Sequence, residues 1–139
     1  KLIVKGIMSP EDALKAKNEG VDAICVSNHG GRQLDCATAS IDALPRIREK
    51  VGRDYPLIFD SGIRSGSDII RALALGADFT MMGRPLMYGI GADQECGLNR
   101  VLEIIREEIN ISLGLVGLTD INEVNEEVIS KKYFKNMKY

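Results

Sequence analysis

The sequence is poor in aromatic residues and has no excess of positive charge. Its 139 residues include four tyrosines, three phenylalanines and no tryptophan, and the formal net charge is -2 at pH 7. Proteins that bind nucleic acids commonly present a basic surface, or aromatic rings on which unpaired bases stack. The sequence therefore predicts no nucleic-acid partner. It also predicts no membrane partner, because no apolar run approaches the ~20 residues that a membrane helix needs.

The usual protein ligands of transition metals are also scarce. The chain has a single histidine, His29, and three cysteines, Cys25, Cys36 and Cys96, whose spacing matches no metal site. Since an odd number of cysteines cannot all pair within one chain, we expect reduced thiols, a cytoplasmic location and no metal. The chain has neither an initiator Met nor a signal peptide, and it opens on what resembles a strand already under way. We therefore expect it to begin inside a larger fold.

Four short apolar runs alternate along the chain with helical patterns. The runs cover residues 2–4, 23–26, 57–59 and 79–82, and the helical patterns cover residues 10–20, 40–50, 66–76 and 98–111. Ser9 and Ser65 are typical N-caps, each followed three residues later by an aspartate. Pro45 predicts a break or a kink in the second helix. The apolar faces expected in the second and fourth helices comprise Ile41, Leu44 and Ile47, and Val101, Leu102, Ile105 and Ile109.

The sequence contains an internal repeat with a shift of 56 residues. Equivalent positions fall at turns, helix caps and helix ends, where a strand–helix unit used twice would need the same residue. The matched pairs are Gly6 and Gly62, Ser9 and Ser65, Asp12 and Asp68, Ala16 and Ala72, Gly20 and Gly76, and Asp22 and Asp78. Strands and helices that alternate in this way predict an α/β fold with a parallel sheet.

Four strand–helix units make up half of a TIM (β/α)8 barrel, a fold of roughly 250 residues. An open doubly wound sheet is the alternative, but its Gly-x-Gly-x-x-Gly turn is absent. We predict that residues 1–118 form the barrel half. Residues 119–139 are predicted to form a short terminal helix, from Thr119 and Asp120 to about Val128, followed by a polar tail over residues 131–139.

The most distinctive segment of the chain is the loop after the second apolar run, residues 27–35. His29 can accept a proton near neutral pH, and Arg32 can hold a carboxylate with two parallel hydrogen bonds. Gly30 and Gly31 allow the backbone to turn sharply and to approach a ligand closely. The simpler interpretation is a hairpin loop with a solvated histidine and arginine.

The other strand ends carry further polar residues, and in a barrel the carboxyl ends of the strands meet at one face. The segments 60–64 and 83–84 combine glycine with arginine, which suits a phosphate bound by backbone N–H groups and fixed positive charge. Asp60 suits the hydroxyl groups of a sugar alcohol, and Lys5 is expected to face an anionic ligand. The alternatives are an ion pair between Lys5 and Asp60, and arginines that simply lie on the surface.

Together these segments resemble the FMN-dependent 2-hydroxy acid oxidases and dehydrogenases, a family that includes glycolate oxidase, lactate oxidase and flavocytochrome b2. The likeness rests on Lys5 and Gly6, on residues 27–35, and on the segments 60–64 and 83–85. It extends to about Asn122 and corresponds to the C-terminal half of the family's barrel, strands 5–8 with their helices. It implies an FMN cofactor and the oxidation of a small (S)-2-hydroxy acid, of the glycolate or lactate class, to the 2-oxo acid.

The resemblance also implies a role for each matched residue. His29 is similar to the base that takes a proton from the substrate, and Arg32 to the clamp on the substrate carboxylate. Lys5 resembles the lysine that lies against the flavin and stabilises negative charge on the reduced ring. Ser27 resembles a flavin contact, and Asp60 resembles the residue that binds the ribityl chain. The residues similar to the family's phosphate-binding loops are Ser61, Gly62, Ile63, Arg64, Gly83 and Arg84.

The chain departs from this family in two ways. Ser61 stands where the family usually has a second glycine, and the N-terminal half of the barrel is absent. That half supplies tyrosines, a second carboxylate-binding arginine and the aspartate that orients the catalytic histidine. We therefore expect the chain alone to be inactive or severely impaired. The predicted partners are this missing half and, as a homo-oligomer, a second copy of the chain; the exact substrate and the electron acceptor stay open.

Two other functions are compatible with parts of the sequence. A non-catalytic half-barrel could cover its open sheet edges by dimerising, and it would at most bind a phosphate compound. A phosphate-binding barrel enzyme related to inosine monophosphate dehydrogenase is the second possibility. The loop that carries His29 and Arg32 argues against this second possibility.

Overall fold

The computed structural model of the chain describes residues 1–130. Within this range, four strands form one parallel sheet in the order β1-β2-β3-β4, with the bounds β1 (Ile3–Ile7), β2 (Ala23–Val26), β3 (Leu57–Phe59) and β4 (Phe79–Thr80). This confirms the predicted α/β fold with a parallel sheet. The predicted polar tail, residues 131–139, lies outside the described residues.

Within residues 1–130, four α-helices alternate with these strands. They are α1 (Pro10–Asn18), α2 (Ser40–Val51), α3 (Gly66–Ala74) and α4 (Arg84–Val116). The described part of the chain also has three single 3₁₀ turns, at His29–Gly31, Ile121–Glu123 and Glu126–Val128. We predict one short helix from residue 119 to about residue 128, and the structure has two separate 3₁₀ turns there. Asp120 caps the first turn by accepting a hydrogen bond from the Asn122 N–H.

The helix starts follow from the capping residues that the sequence predicts. The Ser9 hydroxyl accepts a hydrogen bond from the Asp12 N–H, and the Ser65 hydroxyl accepts one from the Asp68 N–H. In α3 the Asp68 carboxylate also accepts from the Ser65 N–H, which completes a capping box. These bonds satisfy N–H groups that the first turn of a helix leaves without intrahelical partners.

Pro45 lies inside α2 without ending it. A proline in a helix interior costs about 3 kcal/mol, because it removes one hydrogen bond and crowds the preceding turn. Leu44 and Ile47 are fully buried, and burying a side chain of this size stabilises by about 1.5–3 kcal/mol. The packing of the predicted apolar face therefore outweighs the proline.

The structure differs from the predicted α4 in its start and in its buried face. The helix begins at Arg84 rather than Leu98, and non-helical torsions at Asp93 and Gln94 divide it into two segments. The first segment is rich in glycine, which favours a helix weakly, so its pattern does not indicate one. In the second segment Ile105 is buried, but Leu102 is 50% exposed, contrary to prediction.

The first strand also extends beyond its predicted end at Val4. Lys5 and Gly6 lie within β1, and the register with β2 shifts between Lys5 and Ile7. Gly6 has a φ of +96°, a conformation that residues with a side chain rarely adopt. The irregularity therefore depends on glycine at this position.

The hydrophobic core joins the sheet to α1, α2 and α3. It includes Ala13, Ile24, Val26, Leu44, Ile47, Leu57, Phe59 and Ala72. On the two outer strands, Ile3 and Phe79 are 52% and 67% exposed. Within residues 1–130, no helix combines the length and the apolar character that crossing a membrane requires. The sheet is thus anchored on its helices, and it presents the carboxyl ends of its strands together.

Candidate active site

The carboxyl ends of the strands surround a hollow of about 340 Å³. Ten of the residues to which the resemblance assigns a role line it, namely Lys5, His29, Arg32, Asp60, Ser61, Gly62, Ile63, Arg64, Gly83 and Arg84. Ser27 is fully buried, and its hydroxyl bonds to Lys5 and Asp60 at the hollow. The structure therefore brings together all the residues that the sequence predicts for the site.

Asp60, directly after β3, is the centre of the hydrogen bonds in this hollow. Its Oδ1 accepts from the Ser27 hydroxyl at 2.5 Å and from the Ser61 hydroxyl at 2.6 Å. Its Oδ2 lies 2.7 Å from the Nζ of Lys5, which also donates to the Ser27 hydroxyl at 2.7 Å. The ion pair between Lys5 and Asp60, one of the two possibilities left open by the sequence, is therefore formed.

This arrangement keeps Asp60 ionised. Burial alone would raise the pKa of the Asp60 carboxyl, but the hydrogen bonds from Lys5, Ser27 and Ser61 and the charge of Lys5 outweigh burial. The pKa of Asp60 is therefore lower than that of an ordinary aspartate. Two carboxylate oxygens offer about four acceptor sites, so Asp60 can still accept from a further hydroxyl group.

The loop after β2 is held by hydrogen bonds from its consecutive N–H groups. The His29 N–H donates to the Ser27 hydroxyl at 3.1 Å, and the Gly30 N–H donates to the Ser61 hydroxyl at 3.0 Å. His29 and Gly30 have left-handed φ values of +58° and +71°. The His29 side chain is exposed and packs over the backbone of Gly6, where an added Cβ would lie 2.7 Å from His29 Cε1. The imidazole thus points into the hollow from a well-defined loop.

No carboxylate pairs with the His29 ring in the part of the chain that the structure describes. The prediction that its orienting aspartate belongs to another part of the barrel stays a prediction. Arg32, three residues further on, is exposed at the same hollow. An imidazole and a guanidinium at one opening are suited to a substrate that carries both an acidic proton and a carboxylate.

The far side of the hollow is suited to an anion. Arg64 and Arg84 are exposed there, and the Arg84 guanidinium donates to the Gly30 carbonyl at 3.2 Å. An added Cβ at Gly62 or at Gly83 would meet no atom of the described residues within 4 Å, so the backbone at both glycines is open to close approach by a ligand. Two fixed positive charges beside open backbone are features of phosphate sites.

Comparison with known proteins identifies the family. The sequence profile of the FMN-dependent dehydrogenases matches residues 1–131. The chain belongs to the FMN-dependent dehydrogenase family. It is 44% identical to an L-lactate dehydrogenase of Pseudomonas syringae over 130 residues, covering 94% of this chain and 34% of that protein. It is 43% identical to a 2-hydroxyacid oxidase of Dictyostelium discoideum over 136 residues, covering 96% of this chain and 35% of that protein.

Solved structures of the FMN-dependent dehydrogenase family share the fold. The monotopic membrane protein (S)-mandelate dehydrogenase superposes with a TM-score of 0.89 at 42% identity, covering 94% of this chain and 34% of that chain. The chain therefore spans about a third of the length of the relatives that it matches. The family profile and the named relatives support the resemblance to FMN-dependent 2-hydroxy acid oxidases and dehydrogenases that the sequence indicates.

The residues around the hollow fit the FMN on which this family depends. The ion pair of Lys5 with Asp60 supplies a cation and a hydroxyl acceptor on one side. Arg64 and Arg84 with the open backbone of Gly62 supply a phosphate site on the other. Ile63 also lines the hollow, but because its side chain is buried, it can offer an anion only its backbone.

Sequence reasoning missed three side chains that line the same hollow. Gln33 lies in the loop beside Arg32, Met81 directly follows β4, and Met87 lies in the first turn of α4. The position of Met81 at a strand end was the available signal. Met87 had none, since the start of α4 was not predicted. These methionines add apolar surface to an otherwise polar site.

Proposed function

We propose that this chain forms strands 5–8 of an eight-stranded barrel that binds FMN and oxidises a small (S)-2-hydroxy acid to the 2-oxo acid. The observation that carries the proposal is the shared hollow, at which His29, Arg32, Arg64 and Arg84 meet the ion pair of Lys5 with Asp60. In this division of the chain, residues 1–118 belong to the barrel and residues 119–130 lie outside it. The glycolate and lactate class is the proposed substrate class.

In this function the loop after β2 handles the substrate. His29 takes a proton from the substrate, because its imidazole is exposed at the hollow and an imidazole can act as a general base. Arg32 holds the substrate carboxylate with two parallel hydrogen bonds, which orients the reacting carbon toward the imidazole. The two residues are three apart on one loop, so a single small acid can contact both.

The remaining polar residues would hold FMN. Lys5 and Ser27 would lie along the flavin ring, Asp60 would accept from the ribityl hydroxyls, and the phosphate would bind among residues 61–64, Gly83 and Arg84. When bound, FMN accepts the two electrons that leave the substrate. The positive charge of Lys5 would then stabilise negative charge beside it.

FMN binding by the 139-residue chain is the first test. We expect the chain to bind FMN more tightly than riboflavin, which lacks the phosphate, as followed by quenching of flavin fluorescence. The double variant Arg64→Gln/Arg84→Gln should remove this preference, whereas Arg71→Gln should keep it, because Arg71 pairs with Asp68. Equal binding of FMN and riboflavin by the unaltered chain would contradict the phosphate site.

Turnover is tested in a chimera, because the chain spans about a third of its relatives. Residues 1–130 would replace the matched third of the Pseudomonas syringae L-lactate dehydrogenase, and lactate-dependent dye reduction would be measured. His29→Ala should abolish turnover and retain FMN. Arg32→Lys should raise KM and lower kcat, since a point charge cannot make the two-pronged contact. Undiminished turnover in the His29→Ala chimera would exclude His29 as the base.

A non-catalytic half-barrel that dimerises is the second candidate function. It is favoured by exposed apolar side chains on or directly beside the outer strands of the sheet, namely Leu2, Ile3, Phe79 and Met81. Analytical ultracentrifugation of the chain would show a dimer under this alternative. A dimer that binds inorganic phosphate and not FMN would favour the alternative over the flavoenzyme.

We also propose a cytoplasmic location for the protein. Cys25, Cys36 and Cys96 are all unpaired, and Cys36 and Cys96 are exposed. Exposed free thiols are typical of reducing compartments. Cell fractionation followed by detection of the chain tests this location. Recovery of the chain with membranes would contradict it and would match (S)-mandelate dehydrogenase, which is a monotopic membrane protein.

A further inference from the structure

Ser61 has a backbone conformation that favours glycine. Its φ is +80°, in the left-handed region, where a side chain crowds the following carbonyl. The neighbouring Gly62 has a φ of +98°, so the chain makes two successive left-handed residues after β3. Such strain in a non-glycine residue persists only when its surroundings stabilise it. The contacts of the Ser61 side chain supply the reason.

The Ser61 hydroxyl joins two parts of the site that belong to different strands. It donates to Asp60 Oδ1 at 2.6 Å and accepts from the Gly30 N–H at 3.0 Å. Ser27 makes a parallel connection, since its hydroxyl donates to the same Oδ1 at 2.5 Å and accepts from the His29 N–H at 3.1 Å. Two consecutive N–H groups of the loop are thereby tied, through two hydroxyls, to one carboxylate oxygen.

We propose that Ser61 is a positioning residue that holds the His29 loop against Asp60. The Gly30 N–H depends on the Ser61 hydroxyl as its acceptor, and Gly30 is the residue immediately after His29. A glycine at position 61 would permit the same backbone but could not make this connection. That this loop matters for turnover rests on the proposed function. The hydrogen bonds that Ser61 makes with Gly30 and Asp60 do not depend on it.

The test uses the 139-residue chain and two substitutions at the same position. Ser61→Ala removes the hydroxyl and keeps the strain, whereas Ser61→Gly removes the hydroxyl and relieves the strain. In both variants we expect the Gly30 amide to exchange with solvent about tenfold faster, as for the loss of one hydrogen bond. The His29 amide, which donates to Ser27, should exchange at nearly its original rate. Both amides are followed by NMR.

A second readout follows from the hydrogen bond that Ser61 donates to Asp60. Because this bond favours the ionised carboxylate, its loss should raise the pKa of Asp60 in both variants, as measured by NMR titration of the side-chain carbon. Ser67→Ala is the matched control, since the Ser67 hydroxyl contacts the Ser65 hydroxyl and lies at the start of α3. It should leave both the Gly30 exchange rate and the Asp60 pKa unchanged.

The two variants also separate the hydroxyl from the backbone. Ser61→Gly should have a higher Tm than Ser61→Ala, because only glycine relieves the left-handed strain. If Ser61→Ala fails to fold, Ser61→Gly alone decides the question. Unchanged Gly30 exchange and an unchanged Asp60 pKa in the folded variants would overturn the proposal.

The chimera described above tests whether the Ser61 hydrogen bonds affect turnover. Ser61→Gly should lower kcat about three- to tenfold with little change in KM, because a loosened loop presents the base less accurately. Faster Gly30 exchange with an unchanged kcat would overturn the positioning role. A chimera with Ser61 intact that binds FMN but does not turn over would instead count against the proposed function, and the amide and pKa results would stand apart from it.

Discussion

Two glycines near opposite ends of the sheet each lie under a nitrogen-bearing side chain. A Cβ added at Gly6, near the carboxyl ends, would lie 2.7 Å from Cε1 of His29. A Cβ added at Gly76, at the amino ends, would lie 2.7 Å from Cγ of Arg48. His29 is exposed, whereas Arg48 is buried. A glycine backbone therefore packs closely against the accessible His29 ring at the carboxyl ends and against the buried Arg48 side chain at the amino ends.

At the amino ends of the strands, the donors of Arg48 are used within the fold. Its guanidinium donates to the carbonyls of Gly52, Arg53, Tyr55 and Gly76 and to the Asp78 carboxylate. The Asp78 carboxylate also accepts from the Leu57 N–H, at the first residue of β3. This cluster joins α2, the loop before β3 and the loop before β4. Its interactions stabilise the fold and leave little for a ligand.

At the carboxyl ends, by contrast, strain and exposed polar groups collect. His29 and Ser61 have left-handed backbones, and the guanidinium groups of Arg32 and Arg64 are exposed at the hollow. In barrel enzymes this end carries the chemistry, and the opposite end carries stability. The comparison teaches that buried structural bonds and exposed polar groups already lie at opposite ends of the sheet within this third of the family's length.

Removing the Arg48 guanidinium at the amino ends of the strands should have the largest effect on the stability of the fold. Arg48→Met should lower the free energy of unfolding by about 3–4 kcal/mol, since it leaves several backbone carbonyls and Asp78 without their donor. Urea unfolding followed by circular dichroism measures this loss. Arg71→Met is the control, because Arg71 forms an exposed pair with Asp68 and should contribute less than about 0.5 kcal/mol. Equal losses in the two variants would refute the structural role of Arg48.

The repeat provides a matched test of the glycine beneath Arg48. Gly76→Ala should destabilise by about 2–3 kcal/mol, because it combines a φ of +106° with a clash against Arg48. Gly20, its equivalent in the repeat, has a φ of +82° and nothing within 4 Å of an added Cβ. Gly20→Ala should therefore lose only about 1–2 kcal/mol in the same urea experiment. A difference near zero would show that Arg48 moves aside freely.

The corresponding change at the carboxyl ends should disturb the site more than the fold. Gly6→Ala should cost about 1–2 kcal/mol for its φ of +96°, since the exposed His29 ring can swing away. The ring resonances of His29 should shift in NMR spectra. Gly62→Ala is the repeat-matched control, with a φ of +98° and no atom near the added Cβ. A Gly6→Ala variant with unshifted His29 resonances would contradict the packing of the ring on Gly6.

The repeat also explains which features of the fold are predictable from the sequence. Ser9 and Ser65 bond within four residues of chain, and such local caps carry a sequence signature. The equivalence of Asp22 and Asp78 extends further than predicted. Each accepts from a backbone N–H at the start of a neighbouring strand, Leu2 for the first and Leu57 for the second, both at 2.7 Å.

What the sequence did not predict depends on contacts between distant parts of the chain. The first segment of α4 rests its Gly89 against Gly97, where an added Cβ on either would strike the backbone of the other. No local pattern encodes such a crossing. The sequence around Arg48 similarly indicates only an exposed position on α2. Arg48 is buried because Asp78 and the loop carbonyls, which are distant in sequence or outside α2, accept its hydrogen bonds. The grouping of these residues around one hollow was predictable because they lie at strand ends, whereas the mutual bonds of Ser27, Asp60 and Ser61 were not.

The smallest expected effect concerns the ion pair at the carboxyl ends and its dependence on pH. Because the pKa of Asp60 is lowered on folding, ionised Asp60 contributes stability above its unfolded-state value, close to the ordinary 3.8, and loses it as the pH falls through the folded-state value. Lys5→Met should raise the folded-state pKa, so the stability difference from the unaltered chain should be larger at pH 5 than at pH 2, roughly the two sides of that titration. Carbon NMR of Asp60 and urea unfolding at both pH values measure this.

Lys50→Met, which removes only an exposed contact of 3.9 Å with Glu11, should leave the pKa of Asp60 unchanged. If the Lys5→Met variant kept the Asp60 pKa of the unaltered chain, the two serine hydroxyls alone would account for the ionised carboxylate, and the charge of Lys5 would be free for a ligand.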